Sequence, residues 1–380
     1  MRNDGLEEVL PRVAEIVADV RERGDAALLD WTERLDGERP ELRVRSAQLE
    51  GARLADEVLE AVRSMARAVG DFCAPQRPPD TEVEAVLGVF AERRWVPLQS
   101  VGVYVPGGRA AYPSSLVMAA VPALVAGVER IVVVTPRPSE AILATAHELG
   151  LGEVYAVGGA QAVAALAYGT ESIARVDKIV GPGNRWVTAA KLLVSSRVAI
   201  DLLAGPSEVV VIADSTADPA QCAADLLAQA EHGPDSQAVL LSLDPALSAA
   251  ATSLVGEYDN VSVEDMASLD DALARSEAYA PEHLELWVED AERIADRVRN
   301  AGTVFIRTSA VVGDYAAGAT HVLPTGGLAR GAGGLGLESF LKPVQFVRTT
   351  TEGLRRAREI AGPLARAEGL PLHAAAVETR

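Results

Sequence analysis

Short apolar runs alternate with helical periodicity from residue 101 to residue 306, and this restricts the fold more than any other feature of the 380 residues. Runs 101–105, 130–135, 153–157 and 178–180 read as strands, with helices over 115–126, 139–149, 160–168 and one reaching Ser195. A second series starts at 207–213, continues through 238–243 and 283–288, and ends at 303–306. Strands separated by helices imply parallel sheets with right-handed crossovers. Asp218 followed by Pro219 reads as a helix N-cap with proline at the first position. Before the alternation, 6–35 and 49–69 carry apolar residues at helical spacing, and Pro75-Gln-Arg-Pro-Pro79 reads as a linker. Beyond Gly336 the sequence reads as a helical tail, with a helix over 351–361 interrupted at Gly362-Pro363. The expectation is an α/β protein of two doubly wound, incomplete Rossmann-like modules with a helical C-terminal tail.

Apolar residues make up 49% of the chain, ample for buried sheets, yet no run approaches the ~18 uninterrupted apolar residues of a membrane helix. Met1–Glu8 is polar and lacks the apolar segment of a signal peptide, so the expected location is cytoplasmic. With 35 Lys and Arg against 54 Asp and Glu, the net charge of -19 disfavours nonspecific attraction to nucleic acid or anionic membrane. Cys73 and Cys222 lie far apart among apolar residues and form no CxxC metal motif; they read as buried thiols, against a catalytic-thiol aldehyde dehydrogenase.

Imidazole, the side chain that changes charge near neutral pH and a common metal ligand, occurs only five times. Gln229 and His232 lie three apart at the end of the helix that Asp218 starts, so they share a face. An amide oxygen, an imidazole and nearby carboxylates suit a zinc-type ion. A solvated helix end with a histidine favoured by the dipole is the plain alternative. Glu282-His283 stands where a helix capped near Ser268 gives way to a strand, a place for general-base chemistry or for a surface pair. Strand neighbours face opposite ways, so the pair is expected to act from a loop. Asp314 and His321 follow the strand 303–306, and a loop after the carboxyl end of a parallel strand is where such folds bind ligands; a polar turn is the alternative. His373, after Glu368, reads alone as a solvated tail residue, and His147 as surface.

Two glycine-containing turns, Gly158-Gly-Ala-Gln161 and Gly181-Pro-Gly-Asn184, follow apolar strands and open helices, the placement of cofactor loops. Gly331-Ala-Gly-Gly-Leu-Gly336 matches GxGxxG literally, but it follows no strand and opens no βαβ unit.

These blocks, with Gly102-Val-Tyr-Val-Pro-Gly-Gly108, Ala204-Gly-Pro-Ser-Glu208, Ala280-Pro-Glu-His283, Gly313-Asp-Tyr315 and His321-Val-Leu-Pro324, resemble the histidinol dehydrogenase family over nearly the whole chain. The resemblance implies oxidation of L-histidinol through the aldehyde to L-histidine, a four-electron reaction using two NAD in turn. It implies one zinc per subunit, held by Gln229, His232, Asp314 and His373. Ser207, His321 and Glu368 would recognise the substrate alongside the metal ligands, and Tyr104, Gln161 and Asn184 would line the NAD site. His283 would be the general base and Glu282 would activate water. The family's homodimer would exchange the tail, so that His373 and Glu368 complete the partner's site. The implied division is residues 1–103 with 207–335, carrying most zinc and catalytic residues; 104–206 on the NAD side; and 336–380 as the exchanged tail. Departures from the family pattern are Trp186, the short loop 135–139 and the glycine run 331–336.

Two other functions compete. A zinc dehydrogenase acting on another small alcohol would not need the set Ser207, His321 and Glu368. A zinc-stabilised dimeric binding protein would need the ligands but not Glu282-His283.

Overall fold

The computed structural model describes residues 5–107 and 112–379, so residues 1–4, 108–111 (with Gly108 of the glycine turn) and 380 lie outside the described residues. Branched apolar residues dominate the central strands because both faces are covered by helices, which selects continuous rather than alternating hydrophobicity. Thus β8 (Glu208–Ala213) is buried along its whole length, and β4 (Arg130–Thr135) in all but its first residue.

Two five-stranded parallel sheets result. One has the order β5-β4-β3-β6-β7, with β3 (Ser100–Tyr104), β5 (Glu153–Ala156), β6 (Lys178–Val180) and β7 (Ala199–Ile200) beside β4. The other has the order β10-β9-β8-β11-β12, adding β9 (Gln237–Ser242), β10 (Val261–Asp265), β11 (His283–Trp287) and β12 (Thr303–Ile306). Both are doubly wound, and in both the strand order reverses between the two central strands, β3/β6 and β8/β11. The α/β class and the two Rossmann-like modules are as expected.

The division of the chain differs from expectation. Helices α1 (Leu6–Arg23) and α2 (Asp25–Asp36) pack with α7 (Gly159–Tyr168) and α8 (Arg185–Val194) on one face of the first sheet. Helices α3 (Ser46–Gly51) and α4 (Asp56–Cys73) pack with α5 (Pro113–Ala126) and α6 (Glu140–Glu148) on the other. The N-terminal helices therefore join the first module, not residues 207–335, because their apolar faces meet helices of 113–194. Val322, Leu335, Leu337 and Phe340 return to that same core. Gly24, at φ 57, separates α1 from α2 and caps α1 through its N–H to Val20 O.

The tail is not purely helical. After a 3₁₀ turn, β13 (Leu341–Thr349) pairs antiparallel with β2 (Val89–Pro97), which pairs with β1 (Thr81–Val86). Helix α14 (Thr351–Ala367) then runs straight through Gly362-Pro363, and α15 (Pro371–Glu378) packs on it. Pro363 and Glu359, one turn back, are both exposed, so the carbonyl left without its helical donor faces water. The second module supplies α9 (Pro219–Ala230), α10 (Pro245–Val255), α11 (Leu269–Tyr279), α12 (Ala291–Ala295) and α13 (Ala310–Tyr315). Asp218 caps α9 by accepting from Ala220 N, and Ser268 caps α11, as the sequence predicts.

Candidate active site

In the first module the functional candidates sit at the carboxyl edge. Tyr104 ends β3, and its buried hydroxyl accepts from Gly159 N at 3.2 Å; burial pushes it up to about 12, so it remains a neutral phenol. Gly159 opens α7 at φ 65, and a side chain there would strike Gln161. Gln161 is 1% exposed, and its Oε1 has no hydrogen-bond partner. Across the switch point, Gly181 adopts φ 112, and a Cβ on it would come within 2.1 Å of Tyr104 O. Only glycine allows the two loops to approach so closely. Asn184 caps α8 by accepting from Trp186 N and Val187 N. The N-terminus of α7 has Gly158 as cap and no side-chain acceptor. Backbone donors at such a helix start suit the anionic groups of a dinucleotide.

Lys191 and Asp201 support this edge, and neither belongs to a sequence motif. Lys191 Nζ donates to Gly181 O at 2.5 Å and to Asp201 Oδ1 at 2.6 Å, while Gly181 N donates to Asp201 Oδ2 at 2.7 Å. The side chains are 4% and 2% exposed. A lysine within the apolar stretch Ala189-Ala190-Lys191-Leu192-Leu193 was the available signal.

In the second module the candidates gather at the amino edge. Ser207 precedes β8, and Glu282-His283 opens β11, the neighbouring strand, with His283 already paired in the ladder opposite Val209 and Thr303. His283 thus belongs to the strand, with Glu282 just ahead of it, whereas a loop position was expected. Glu282 accepts from Ser207 Oγ at 2.6 Å and from Glu208 N at 2.9 Å. Burial nonetheless pushes its carboxyl up to about 8, since two donors do not replace bulk solvation. Burial, reinforced by His321 and His232, drives His283 down to about 3, and its Nδ1 has no partner. Its ring stands edge-on to Phe305 at 5.6 Å.

Gln229 lies in the last turn of α9, with Oε1 3.5 Å from Ser207 Oγ and a buried Nε2 without a partner. His232 follows the helix; its Nδ1 stands 3.1 Å from Ala228 O. A carbonyl there requires the proton on Nδ1, leaving the Nε2 lone pair for a ligand. His321 is fixed in the same way by Asp314 O at 3.3 Å. Asp314 lies near the end of α13. Burial raises its carboxyl while His321 and His232 pull it back, and burial lowers His321. The expectation that Asp314 stands at the carboxyl end of a strand is corrected: α13 carries the chain back from β12, so Asp314 reaches the amino edge. Glu368 and His373 are exposed on the α14–α15 arm, and no hydrogen bond or charge contact among the described residues joins them to this cluster.

Among the described residues no three His, Cys, Asp or Glu side chains form a group that could hold a metal. Gln229, His232 and Asp314 supply an amide oxygen, an imidazole and a carboxylate, a donor set of zinc type lacking one member. The C-terminal end of α9, with its negative dipole, also suits a cation. Cys73 and Cys222 are buried and pushed up to about 11 and about 12, so neither is a thiolate near neutrality.

The whole chain, residues 1–380, matches the family model described as histidinol dehydrogenase. A histidinol dehydrogenase of Parasynechococcus marenigrum (strain WH8102) is 44% identical over 398 residues, covering 98% of this chain and 91% of the relative. One from Natronomonas pharaonis is 43% identical over 402 residues, covering 100% of this chain and 95% of the relative. The crystal structure of a histidinol dehydrogenase from Elizabethkingia anophelis is similar with a TM-score of 0.88 at 37% identity, covering 98% of this chain and 92% of that one. An NAD-dependent benzaldehyde dehydrogenase from Corynebacterium glutamicum gives a TM-score of 0.52 at 16% identity, over 92% of this chain and 85% of that one, a likeness of fold alone.

Proposed function

The chain belongs to the histidinol dehydrogenase family, oxidoreductases of histidine biosynthesis, and from that premise we propose a zinc- and NAD-dependent conversion of L-histidinol to L-histidine through L-histidinaldehyde. The observation that carries the mechanism is the Glu282-His283 pair, two adjacent groups whose protonation burial pushes in opposite directions.

Tyr104, Gln161 and Asn184 would hold NAD, which when bound would supply the hydride acceptor for the alcohol carbon. Gln229, His232, Asp314 and His373 would hold zinc, which when bound would supply a template for the substrate's amino and imidazole nitrogens. Burial favours the neutral form of His283 and its Nδ1 has no partner, so the ring can take the hydroxyl proton. Once the aldehyde forms, Glu282 as carboxylate takes a proton from the attacking water, held by Ser207 Oγ and Glu208 N. His283 then accepts the hydrate's hydroxyl proton during the second oxidation. Ser207, His321 and Glu368 hold the substrate, while Tyr104, Gln161 and Asn184 hold NAD against the opposite module.

The protein acts as a homodimer in this reading. The arm that bears Glu368 and His373 exposes Leu372 (81%), Leu364 (56%) and Ile360 (49%), and the strand β13 before it exposes Val347 (70%), an apolar surface suited to a second copy. Exchange of this arm brings His373 and Glu368 to the partner's cluster.

Purified protein supplied with zinc, NAD and histidinol is expected to form about two NADH per histidinol, since each NAD takes two electrons. His283→Asn should abolish turnover with zinc still bound. NADH formation from another alcohol but not histidinol would favour a different substrate, and no redox activity at all would favour the binding protein. For the arm, mixed dimers of His232→Ala and His373→Ala subunits each contain one intact site if His373 crosses over. They should regain activity, and failure to complement would remove the exchange.

A further inference from the structure

Behind the amino-edge cluster lies a carboxyl pair, one member buried and the other half-buried, that the proposed chemistry does not use. Glu285, 0% exposed, stands two residues beyond His283 on the same face of β11, since strand side chains repeat every second residue. Its Oε1 accepts from Ala310 N at 2.6 Å and its Oε2 from Trp287 Nε1 at 2.9 Å. It also shares a hydrogen bond with Asp225 of α9. Two carboxyl groups can share a hydrogen bond only if one keeps a proton, and burial followed by the Asp225 charge pushes Glu285 up to about 8. Asp225 in turn accepts from Ser309 Oγ at 2.5 Å, and Ser309 is the N-cap of α13.

The pair therefore touches every element that brings a side chain to the cluster except the loops before β8 and around His321. Asp225 lies one helical turn before Gln229, on the helix leading to His232. Glu285 lies on the strand of His283. Ser309 and Ala310 form the start of the six-residue helix that ends beside Asp314. On that helix, a Cβ at Gly313 would come within 2.5 Å of the Phe305 ring, so α13 is seated tightly on β12. A buried polar group is costly unless satisfied, so three elements joined through one protonated pair form a specific arrangement rather than a loose apolar contact.

We propose that Asp225 and Glu285 are positioning residues, which lock α13 to α9 and β11 and so set the distance between Asp314 and the Gln229–His232 ligand face. This rests on the reading of Gln229, His232 and Asp314 as a metal site. The lock has a simple neutral substitute. In Asp225→Asn, Oδ1 can still accept from Ser309 while Nδ2 donates to Glu285, so the shared proton is no longer needed. Asp225→Ala removes both links.

The test measures zinc affinity of the full-length protein by competition with a chromophoric chelator, together with KM for histidinol and for NAD and the melting temperature. Outer partners of metal ligands typically contribute ~10–100-fold in affinity, so Asp225→Ala should weaken zinc by that factor and raise the histidinol KM. Its NAD KM should stay at the wild-type value, and Asp225→Asn should recover most of the zinc affinity. His232→Ala serves as the reference for the metal site. Loss of zinc in His232→Ala beside wild-type affinity in Asp225→Ala overturns the lock alone. Wild-type affinity in both overturns the site reading and the lock with it. Should Asp225→Ala fail to fold, Ser309→Ala cuts only the α13 link and decides. Several-fold weaker zinc binding supports the lock, and unchanged binding overturns it.

Discussion

The two modules share one strand order, yet they place their candidate residues at opposite edges of their central strand pair. In the first, β3 ends at Tyr104 and β6 just before Gly181, and the candidates lie at the carboxyl edge with helix N-termini beside them. In the second, the carboxyl edge of β8 and β11 is occupied by Asp214, whose N–H donates to Trp287 O and whose Oδ2 accepts from Glu289 N. Its candidates lie at the amino edge, reached from Ser207, from Glu282-His283 and from the C-terminal turns of α9 and α13. The edge decides the chemistry on offer. A carboxyl edge presents backbone N–H groups at helix starts, which suit anions. An amino edge presents helix ends with the opposite dipole and side chains from incoming loops, which suit a cation and proton transfer. The same fold thus offers one edge suited to anions and one suited to a cation, according to which end of the switch point is left open.

The sharpest way to break this division is Glu282→Gln, which should act on one edge only. General-base groups typically contribute ~10²–10⁴-fold, so the water-dependent second oxidation should slow by that factor. The first oxidation continues, so NADH per histidinol should fall from two towards one, with aldehyde trapped by an added amine reagent. An unchanged stoichiometry would remove Glu282 from water activation. The same substitution has a pH signature. Glu282 has an ordinary value of 4.5 and is raised to about 8 in the fold, so between these values the native state holds a proton that the unfolded chain has released. Stability therefore falls as pH rises through that window and levels above it, by up to about 5 kcal/mol. Glutamine does not ionise, so Glu282→Gln should melt higher than wild type at pH 9 and close to it at pH 5. Catalysis that needs the carboxylate should rise across the same range near pH 8 in wild type and lose that limb in the variant.

Lys191→Met tests the other edge. Removing one partner of a buried ion pair leaves the other charge uncompensated, at a cost of about 3–5 kcal/mol. The variant should melt lower and show a raised NAD KM, because Gly181 loses the donor to its carbonyl. Zinc affinity should not change. Lys191→Met with Asp201→Leu removes both charges and should recover stability without restoring the NAD KM. If the NAD KM recovers too, the pair serves the core and not the loop.

What the sequence showed and what it hid follow the same physical line. The parallel sheets were legible because strands such as β4 and β8 are apolar along nearly their whole length, and a run of that kind needs no partner to be recognised. The β1–β2 hairpin was not, because Glu82, Glu84, Arg93 and Arg94 fill many of its exposed positions. It is held by cross-strand contacts such as Arg348 with Glu82 at 2.7 Å and Arg94 over Phe346 at 4.2 Å. The candidate residues were named by motif resemblance, but their edge was misplaced for Asp314, because local spacing cannot show that α13 returns the chain across the sheet. Lys191, Asp225 and Glu285 were passed over because each stands as a single charge in an apolar setting. Such a charge is informative only when its partner, distant in sequence, is seen.

The smallest expected effect bears on how much of the carboxyl edge depends on side chains at all. Tyr104→Phe keeps the ring and its packing and removes only the acceptor of the 3.2 Å bond from Gly159 N. A neutral hydrogen bond of this kind contributes about 1 kcal/mol, or roughly fivefold in an equilibrium constant. If Tyr104 acts by holding the turn that opens α7, the NAD KM should rise by that factor with kcat nearly unchanged, because the donors are displaced and not removed. A fall in kcat at unchanged NAD KM would instead assign the hydroxyl to the reacting groups. An effect on zinc affinity or histidinol KM would mean that the two edges are coupled through β3, and the separation drawn above would fail at its most buried point.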